Sequence, residues 1–187
     1  TETPYLPKYT TSLDFDQTHR GALNIDYRFS NNDGPEIGGM HPFENLGLNM
    51  LFTFNSGHPY TLVDENSYDN RRQPVEVLNE SRTPWNFQLD ARLDKTVTIA
   101  SLDFNFYVWV VNLLDTRNVT DVFIQSGSAS DDGYLSTTTG NQLVQAYEAY
   151  GSVYSDLYRE YYYQTNVMNA PLYGPPRQVR LGLRIDF

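Results

Sequence analysis

The end of the chain alternates strictly between apolar and polar side chains. From Gln178 to Phe187 every odd position is apolar and every even position is polar or glycine. An alternation of period two predicts a β-strand with one apolar and one polar face. A half-buried strand of a soluble antiparallel sheet alternates in the same way, so the pattern alone leaves both environments open. The last eleven residues, Arg177 to Phe187, would rise about 28 Å as a strand tilted by roughly 40°, which matches the apolar band of an outer-membrane barrel.

The same alternation recurs upstream and predicts further strands. Four of them lie at about 20–29, 44–55, 85–94 and 101–111, and a weaker one lies at about 119–125. With the final strand this gives about six. Turn-forming residues fill the loop before the second strand, residues 95–100 are interpreted as a short link, and the polar segment 62–83 is interpreted as an irregular connection.

The segment 126–176 is too long for an ordinary structureless loop. From about Gln142 to Gln164, tyrosines and leucines recur at steps of three and four, which predicts a helix that Gly151 weakens near its middle. Tyrosine gives rigid amphipathic contact area, so this stripe is predicted to bind a ligand or partner; the alternative is a helix that packs on the sheet rim. The predicted binding residues are Tyr147, Tyr150, Tyr154, Tyr158 and Tyr161.

Composition narrows the classes of function. The formal net charge is −10, with 23 acidic and 13 basic residues, which argues against nucleic acid as a partner. The absence of cysteine excludes disulfides and thiolate metal sites. The sequence contains no run of about 18 apolar residues, so no membrane-spanning helix is predicted. Fifteen tyrosines and ten phenylalanines are a heavy aromatic load, and aromatic side chains collect at membrane interfaces.

The search for catalytic chemistry finds no motif. The histidines His19, His41 and His58 lie near turns, without a metal-ligand spacing or a neighbouring nucleophile. The acidic pairs Asp131–Asp132 and Asp64–Glu65 lack the ligand repeat of a calcium loop and are interpreted as solvated loop charge. The sequence therefore predicts no enzyme activity, no metal and no cofactor.

Charged side chains on the polar faces of the strands could not face lipid. In a barrel they would face the lumen or a domain that fills it, and the aromatic residues among them favour a filled lumen. The predicted lumen-facing or plug-facing residues are Asp90, Arg92, Tyr107, Trp109, Arg180 and Arg184.

Four short motifs, taken in order along the chain, resemble a known family. They are Phe15–His19, Ser56–Thr61, Val111–Asp115 and Gly174–Phe187, and together they resemble the C-terminal part of TonB-dependent outer-membrane receptors over essentially the whole chain. The resemblance implies a barrel of about 22 strands with an N-terminal plug. It also implies import of scarce ligands such as iron chelates, cobalamin or glycans with energy supplied through TonB.

On this interpretation residues 1–187 are one partial domain, an all-β antiparallel transmembrane β-barrel segment with one long, partly helical extracellular loop. About six strands cannot enclose a plugged lumen, so the plug and the remaining strands are expected from the same or another chain. The resemblance implies outer-membrane lipid and the TonB complex as partners, and admits a surface lipoprotein. Phe187 resembles the signal that the barrel-assembly machinery reads.

Counting strands back from a periplasmic C-terminus predicts the side of each connection. Residues 126–176 and 30–43 are expected outside, in a Gram-negative outer membrane. Residues 112–118 and 56–83 are expected on the periplasmic side.

Two other interpretations stay open. The first is a small self-contained outer-membrane barrel with a structural or adhesive role. The second is a soluble secreted β-sandwich that binds glycans with its aromatic side chains, although exposed leucine and phenylalanine faces argue against it.

Overall fold

A computed structural model describes residues 10–65, 72–149, 151, 153–162 and 172–187. Most of its elements are strands in antiparallel sheets, which confirms the predicted antiparallel β architecture, while closure into a transmembrane barrel stays a prediction. The strands are β1 (Arg20–Arg28), β2 (Leu46–Asn55), β3 (Pro59–Tyr60), β4 (Val63–Glu65), β5 (Arg72–Pro74), β6 (Ser81–Arg82), β7 (Asn86–Ile99), β8 (Leu102–Val111) and β9 (Gln178–Asp186). The described helices are α1 (Thr138–Glu148) and α2 (Val153–Tyr162), after a 3-10 turn at Tyr134–Ser136. Neither has the length and apolar character needed to cross a bilayer.

The chain divides into two compact units. The sheet unit comprises His19–Asn55, Trp85–Asn118 and Gly174–Phe187, and it contains the five long strands. The loop unit comprises Thr1–Thr18, Ser56–Pro84 and Val119–Tyr173, and it contains α1, α2 and the short strands β3 to β6.

The sheet unit is a five-stranded antiparallel sheet in the order β1-β2-β7-β8-β9. Its register sets one row across all five strands, formed by Tyr27, Leu48, Leu93, Val108 and Leu181. Because side chains alternate along each strand, the apolar positions share one face and the polar positions share the other. These are the apolar face and the polar face. Within the described residues β1 and β9 are edge strands, each paired on one side.

Burial in the sheet unit is inverted relative to a soluble sheet. Leu181 is 76% exposed and Val179 is 61% exposed on the apolar face. Among the described residues of this unit the buried side chains are polar, namely Asp94, Asn105 and Asn112, and no apolar side chain is buried. The buried apolar side chains of the described chain, Pro59, Val122 and Ala129, lie in the loop unit. A soluble sheet buries its apolar face and exposes its polar one.

Lys95 is the one charged residue that the register places on the apolar face of the five described strands. Its ammonium donates to the backbone carbonyl of Pro42, at 3.1 Å, and to that of Glu44. Peptide oxygens therefore replace the water that a lysine would otherwise need.

Strand β7 continues beyond its predicted end. The link predicted at 95–100 is wrong, because Val97 and Ile99 extend the apolar alternation and Ile99 pairs with Leu102. The reversal takes two residues, Ala100 and Ser101, with φ of 50° and 72°. Two-residue hairpins favour such left-handed turns because their twist matches that of the strands.

The weak strand predicted at 119–125 is also wrong. This segment makes isolated bridges, from Val119 to Tyr173 and from Phe123 to Ser128, instead of a ladder. The Thr120 N–H donates to the Leu172 carbonyl at 2.8 Å. The described chain thus has five long strands rather than about six.

Because the strand predicted at 119–125 is absent, the connections between the earlier strands lie at the opposite ends of the sheet from those predicted. Residues 56–85 and 112–177 connect strands at one end of the sheet, and 29–45 and 100–101 do so at the other. The predicted arrangement, which put 30–43 on the side of the long excursion and the polar segment opposite it, is therefore wrong.

The polar segment predicted as irregular contains short ladders. Strand β3 pairs with β6, and β4 pairs with β5. The Thr83 N–H donates to the His58 carbonyl at 2.9 Å, and the His58 N–H donates to the Thr83 hydroxyl at 2.9 Å. A side chain at Gly57 would overlap the Thr83 carbonyl. Strands of two or three residues carry no periodic signal, so sequence pattern does not reveal them.

The single helix predicted from Gln142 to Gln164 is divided in two. Helix α1 begins earlier, where the Thr137 hydroxyl accepts the Gly140 N–H at 3.1 Å as an N-cap. Gly151, with φ of 127°, lies between the helices, so the predicted weakening there is confirmed. Residues 150, 152, 163 and 164 of the predicted helix lie outside the described residues.

Asn112 fastens the end of β8 to the segment that leads into β9. Its side chain is 1% exposed. Its amide donates to the carbonyls of Thr116 (3.0 Å) and Pro175 (3.3 Å), and its carbonyl accepts the Thr116 N–H (3.0 Å). Its φ of 56° lies in the left-handed region, which asparagine tolerates better than most residues.

We expect Asn112→Ala to lower the free energy of unfolding by about 2–4 kcal/mol, because buried backbone groups lose their partners and alanine tolerates the left-handed φ poorly. Guanidinium titration followed by tryptophan fluorescence measures this loss. Asn112→Gly removes the same bonds and relieves the φ, so it should remain at least about 1.5 kcal/mol less stable than the wild type. Wild-type stability in the glycine variant would contradict a role for the side chain.

Candidate functional site

The structure places all six residues predicted to face a lumen on the polar face of the sheet unit. Arg92, Trp109 and Arg180 form one row across β7, β8 and β9. In the next row Asp94 pairs with Tyr107, which pairs with Gly182. Asp90 and Arg184 lie on the same face, opposite Leu51 and Asn105. Their shared face follows from alternation, while what they face stays a prediction.

An ion pair crosses the middle of the polar face. Arg28 of β1 lies 3.2 Å from Asp94 of β7, although β2 separates their strands. The intervening residue of β2 is Gly47, which has no side chain to block the contact. Asp94 is 5% exposed and also accepts a bond from Asn105 at 3.4 Å, while Arg28 reaches Asp26 at 2.9 Å.

Sequence reasoning did not single out Asp94, Asn105 or Gly47. Oppositely charged residues on two strands can be identified as partners only when the register between the strands is known, and the sequence alone does not give that register. A glycine on an otherwise occupied polar face is the available signal, since strand glycines often mark a close approach.

Two arginines of the polar face stack on aromatic rings. The guanidinium carbon of Arg92 lies 4.6 Å from the centre of the Tyr107 ring, and that of Arg180 lies 4.9 Å from the centre of the Trp109 ring. Both distances are within the range of a cation–π contact. Gly182 makes room for Tyr107, because a side chain there would overlap the ring.

Tyrosine stacks organise the helical part of the loop unit. Tyr147 of α1 stacks on Tyr154 of α2, with ring centres 5.1 Å apart and planes 21° apart. The Ser155 hydroxyl donates to the Glu148 carboxylate at 3.1 Å and adds a second link between the helices.

A second stack is built around Tyr158. Its ring lies between those of Tyr134 (5.1 Å) and Tyr162 (5.7 Å). Its hydroxyl donates to Asp132 at 2.7 Å, and the other oxygen of Asp132 accepts the Tyr134 N–H at 3.0 Å. Burial, reinforced by the bond to Asp132, raises the pKa of Tyr158. Burial and the nearby carboxylates of Asp132 and Asp131 raise the pKa of Tyr162 to about 12.

This second stack borders an acidic cleft of about 470 Å³. Arg159 also lines it, 3.9 Å from Asp156. The cleft is large enough for a small ligand. Its acidic and aromatic lining residues are Asp131, Asp132, Asp156, Tyr158, Glu160 and Tyr162.

The predicted tyrosines therefore divide into groups. Tyr147 and Tyr154 form one stack, and Tyr158 is the centre of the other. Tyr161 is 71% exposed on α2, and Tyr150 lies outside the described residues.

Sequence reasoning missed three members of the second stack. Tyr162 follows Tyr158 by four positions, so helical spacing could have identified it. Tyr134 lies outside the helices and Asp132 was interpreted as solvated charge, so neither carried a local signal.

The histidines take part in local contacts. His19 stacks on Trp85 at 5.7 Å, His41 meets the Gly34 carbonyl at 3.1 Å, and His58 meets the Gln17 amide at 3.0 Å. Within the described ranges no group of three or more His, Cys, Asp or Glu side chains could hold a metal ion.

Phe187 continues the apolar alternation of β9 and is fully exposed. It lies at the end of the sheet opposite the connections 56–85 and 112–177. Its role as an assembly signal stays a prediction.

Comparison with known proteins found no matching family model, no matching curated protein and no matching solved structure.

The Arg28–Asp94 pair depends on Gly47. A methyl group there would lie 2.8 Å from Arg28 Nη1 and 3.1 Å from Asp94 Oδ1, so Gly47→Ala should push the guanidinium away from the buried carboxylate. We expect a loss of about 1–2 kcal/mol in the free energy of unfolding, a modest value because half of Arg28 is exposed. Denaturant titration measures it.

The control is the same substitution in an Arg28→Gln background. There Gly47→Ala should cost no more than about 0.5 kcal/mol, because the pair is already lost. An equal cost in both backgrounds would show that the glycine acts through something other than this ion pair.

The raised pKa of Tyr162 predicts an alkaline transition in the loop unit. Below pH 10.0, the pKa of tyrosine in the unfolded chain, the neutral Tyr162 contributes its full stabilisation. This stabilisation is lost as the pH rises through about 12, the pKa of Tyr162 in the folded chain. Helical circular dichroism should therefore fall between these pH values, together with the rise in tyrosinate absorbance.

Tyr162→Phe cannot ionise and should retain its helical signal to higher pH. Tyr161→Phe, at a 71% exposed position of the same helix, is the matched control and should follow the wild type. Superimposable pH curves for the wild type and Tyr162→Phe would contradict the predicted role of Tyr162.

Proposed function

We propose that this chain is a segment of a transmembrane β-barrel in the outer membrane of a Gram-negative bacterium, and that its protein takes up a scarce ligand as TonB-dependent receptors do. One observation carries the proposal. The sheet unit exposes its apolar face, and the strand side chains that it buries, Asp94 and Asn105, lie on its polar face. A sheet with lipid on one side and a polar interior on the other has this distribution.

The height of the apolar face fits a bilayer. From Phe87 to Ile99 its residues follow β7 without interruption except at Lys95, whose charge is satisfied by backbone carbonyls. The thirteen residues from Phe87 to Ile99 make twelve residue-to-residue steps, which rise about 30 Å when tilted by roughly 40°, close to the apolar band of outer-membrane barrels.

Aromatic side chains lie at both ends of this face. At one end Trp85 stacks on His19 (5.7 Å) and on Phe87 (6.2 Å). At the other end Phe187 continues the apolar alternation of β9 and is fully exposed. Aromatic girdles at the two interfaces are typical of outer-membrane barrels, so these side chains support the proposed membrane location.

The polar face fits a lumen. Its ion pairs and stacked arginines would be too costly in lipid, whereas a plug or water in a lumen could cover them. The edges of β1 and β9 require further strands, because unpaired backbone groups are not tolerated in lipid. The proposal therefore includes the plug and the remaining strands as partners, with TonB, and admits a surface lipoprotein.

The loop unit would contact the ligand. With Phe187 on the periplasmic side, residues 56–85 and 112–177 connect strands at the outer end, where a ligand arrives. The stacks around Tyr154 and Tyr158 lie in the second of these segments. We assign the chain binding and transport rather than catalysis.

Leu181 offers a direct test, because it lies in the central row of the apolar face and is 76% exposed. In a bilayer Leu181→Arg should cost about 2–4 kcal/mol of stability and deplete the protein from washed outer membranes. In a water-soluble sheet the same change at so exposed a position should cost at most about 0.5 kcal/mol. Immunoblotting of fractions and unfolding from lipid vesicles measure both quantities.

Ala22→Arg is the control, since it adds the same charge at an exposed position of the polar face on the other edge strand. It should insert normally. Normal insertion of both variants would contradict the lipid-facing assignment. If Leu181→Arg is depleted as expected but the native protein is no heavier than this chain, the membrane assignment stands and the receptor assignment fails.

A further inference from the structure

In the part of the chain that the structure describes, Arg92 and Arg180 of the polar face lack the carboxylate partner that Arg28 and Arg184 have; Arg20, at the far end of β1, lacks one as well. Arg28 pairs with Asp26 and Asp94, and Arg184 pairs with Asp186 at 2.9 Å. Within the described residues Arg92 and Arg180 have no carboxylate within 4.0 Å, and the recorded bond of Arg180 goes to the neutral Gln178 at 2.9 Å.

Arg92 also has an unfilled bonding position. Its Nε is buried and has no hydrogen-bond partner in the described chain. Buried N–H groups nearly always have an acceptor, so an isolated one requires an explanation. The guanidinium lies over the Tyr107 ring, with its carbon 4.6 Å from the ring centre.

The register brings the two arginines to the same place. Arg92 and Arg180 are the direct neighbours of Trp109 on its two sides. Two strand spacings put their backbones about 10 Å apart, a separation that two long side chains can close around one small anion.

Space for a ligand is available beside Arg92 and beside Trp109, the residue on which Arg180 stacks. Arg92 lines a cleft of about 400 Å³, and a second cleft of about 240 Å³ lies between Arg92 and Trp109. The charged residues that line the larger cleft are three arginines and two aspartates, Arg28, Arg92, Arg184, Asp26 and Asp94, a formal balance of +1. The smaller cleft is lined by one arginine and one aspartate, Arg92 and Asp90, a balance of zero. The whole chain carries −10, so the lining of the larger cleft departs from the general charge of the protein.

We infer that Arg92 and Arg180 form a binding site for a small ligand that carries an oxyanion, a carboxylate or a phosphate. The planar guanidinium matches the two oxygens of such a group and donates to both. Stacking on Tyr107 and Trp109 holds each guanidinium before the ligand arrives, which reduces the entropy lost on binding. The site belongs to the sheet and does not depend on the proposed membrane location.

The test uses Trp109 as the reporter. The sequence has two tryptophans, so Trp85→Phe leaves Trp109 alone. The folded chain in detergent is titrated with citrate and, separately, with inorganic phosphate, against sodium chloride at equal ionic strength. We expect a saturable change in Trp109 emission with at least one of the two oxyanions and none with chloride.

Arg92→Gln combined with Arg180→Gln should raise the apparent Kd at least about tenfold, because charge-assisted bonds are lost. The matched control, Arg20→Gln with Arg177→Gln, removes the same charge from sites outside the row and should change the Kd less than about twofold. Circular dichroism checks folding of each variant. Arg92→Lys keeps the charge without the planar fork, so a partial loss is expected there.

Three outcomes would overturn the inference. The first is a response that does not saturate with either oxyanion or is shared by chloride. The second is an equal loss of affinity in the control pair, which would indicate general charge attraction. The third is unchanged affinity in a folded Arg92→Lys variant together with unchanged affinity in the double glutamine variant.

Discussion

The constraint on which this structure depends is that the buried carboxylate on the polar face of the sheet must have a partner. Asp94 is buried beneath that face, and a buried carboxylate without a partner would be costly. Arg28 supplies the partner from two strands away, and it can do so because Gly47 leaves the space between them open. With polar groups satisfied inward, the apolar side chains are left outward, which is the arrangement that lipid requires.

Period-two alternation predicted the four long strands before residue 112 and the final strand, because every second residue on a pleated strand meets the same environment. It failed where the environment was not that of a sheet. The alternation at 119–125 belongs to a loop in which Val122 is buried. The prediction also ended β7 too early, because the charged Lys95 interrupts the apolar alternation. Lys95 is accepted on the apolar face because the carbonyls of Pro42 and Glu44, from a loop distant in sequence, bind its ammonium.

The candidate sites show the same division between local and register-dependent information. Membership of the polar face could be assigned to Arg92 and Arg180 from alternation alone. Their neighbours could not be assigned, since Arg92 stacks on Tyr107 of another strand and Arg180 on Trp109. Helical spacing found Tyr154 and Tyr158 but could not find Tyr134 or Asp132, which reach the stack from an irregular segment.

Two glycines explain how large side chains fit on one face of so narrow a sheet. In the row that runs Arg28, Gly47, Asp94, Tyr107, Gly182, a glycine stands beside each group that must lie flat across a neighbouring strand. Gly47 admits the Arg28 guanidinium and Gly182 admits the Tyr107 ring. Tyr107 in turn lies under the Arg92 guanidinium, and Arg92 lines the cleft, so the space at Gly182 contributes to this arrangement. Glycine lowers intrinsic strand stability, and its presence at both places follows from the contacts it permits.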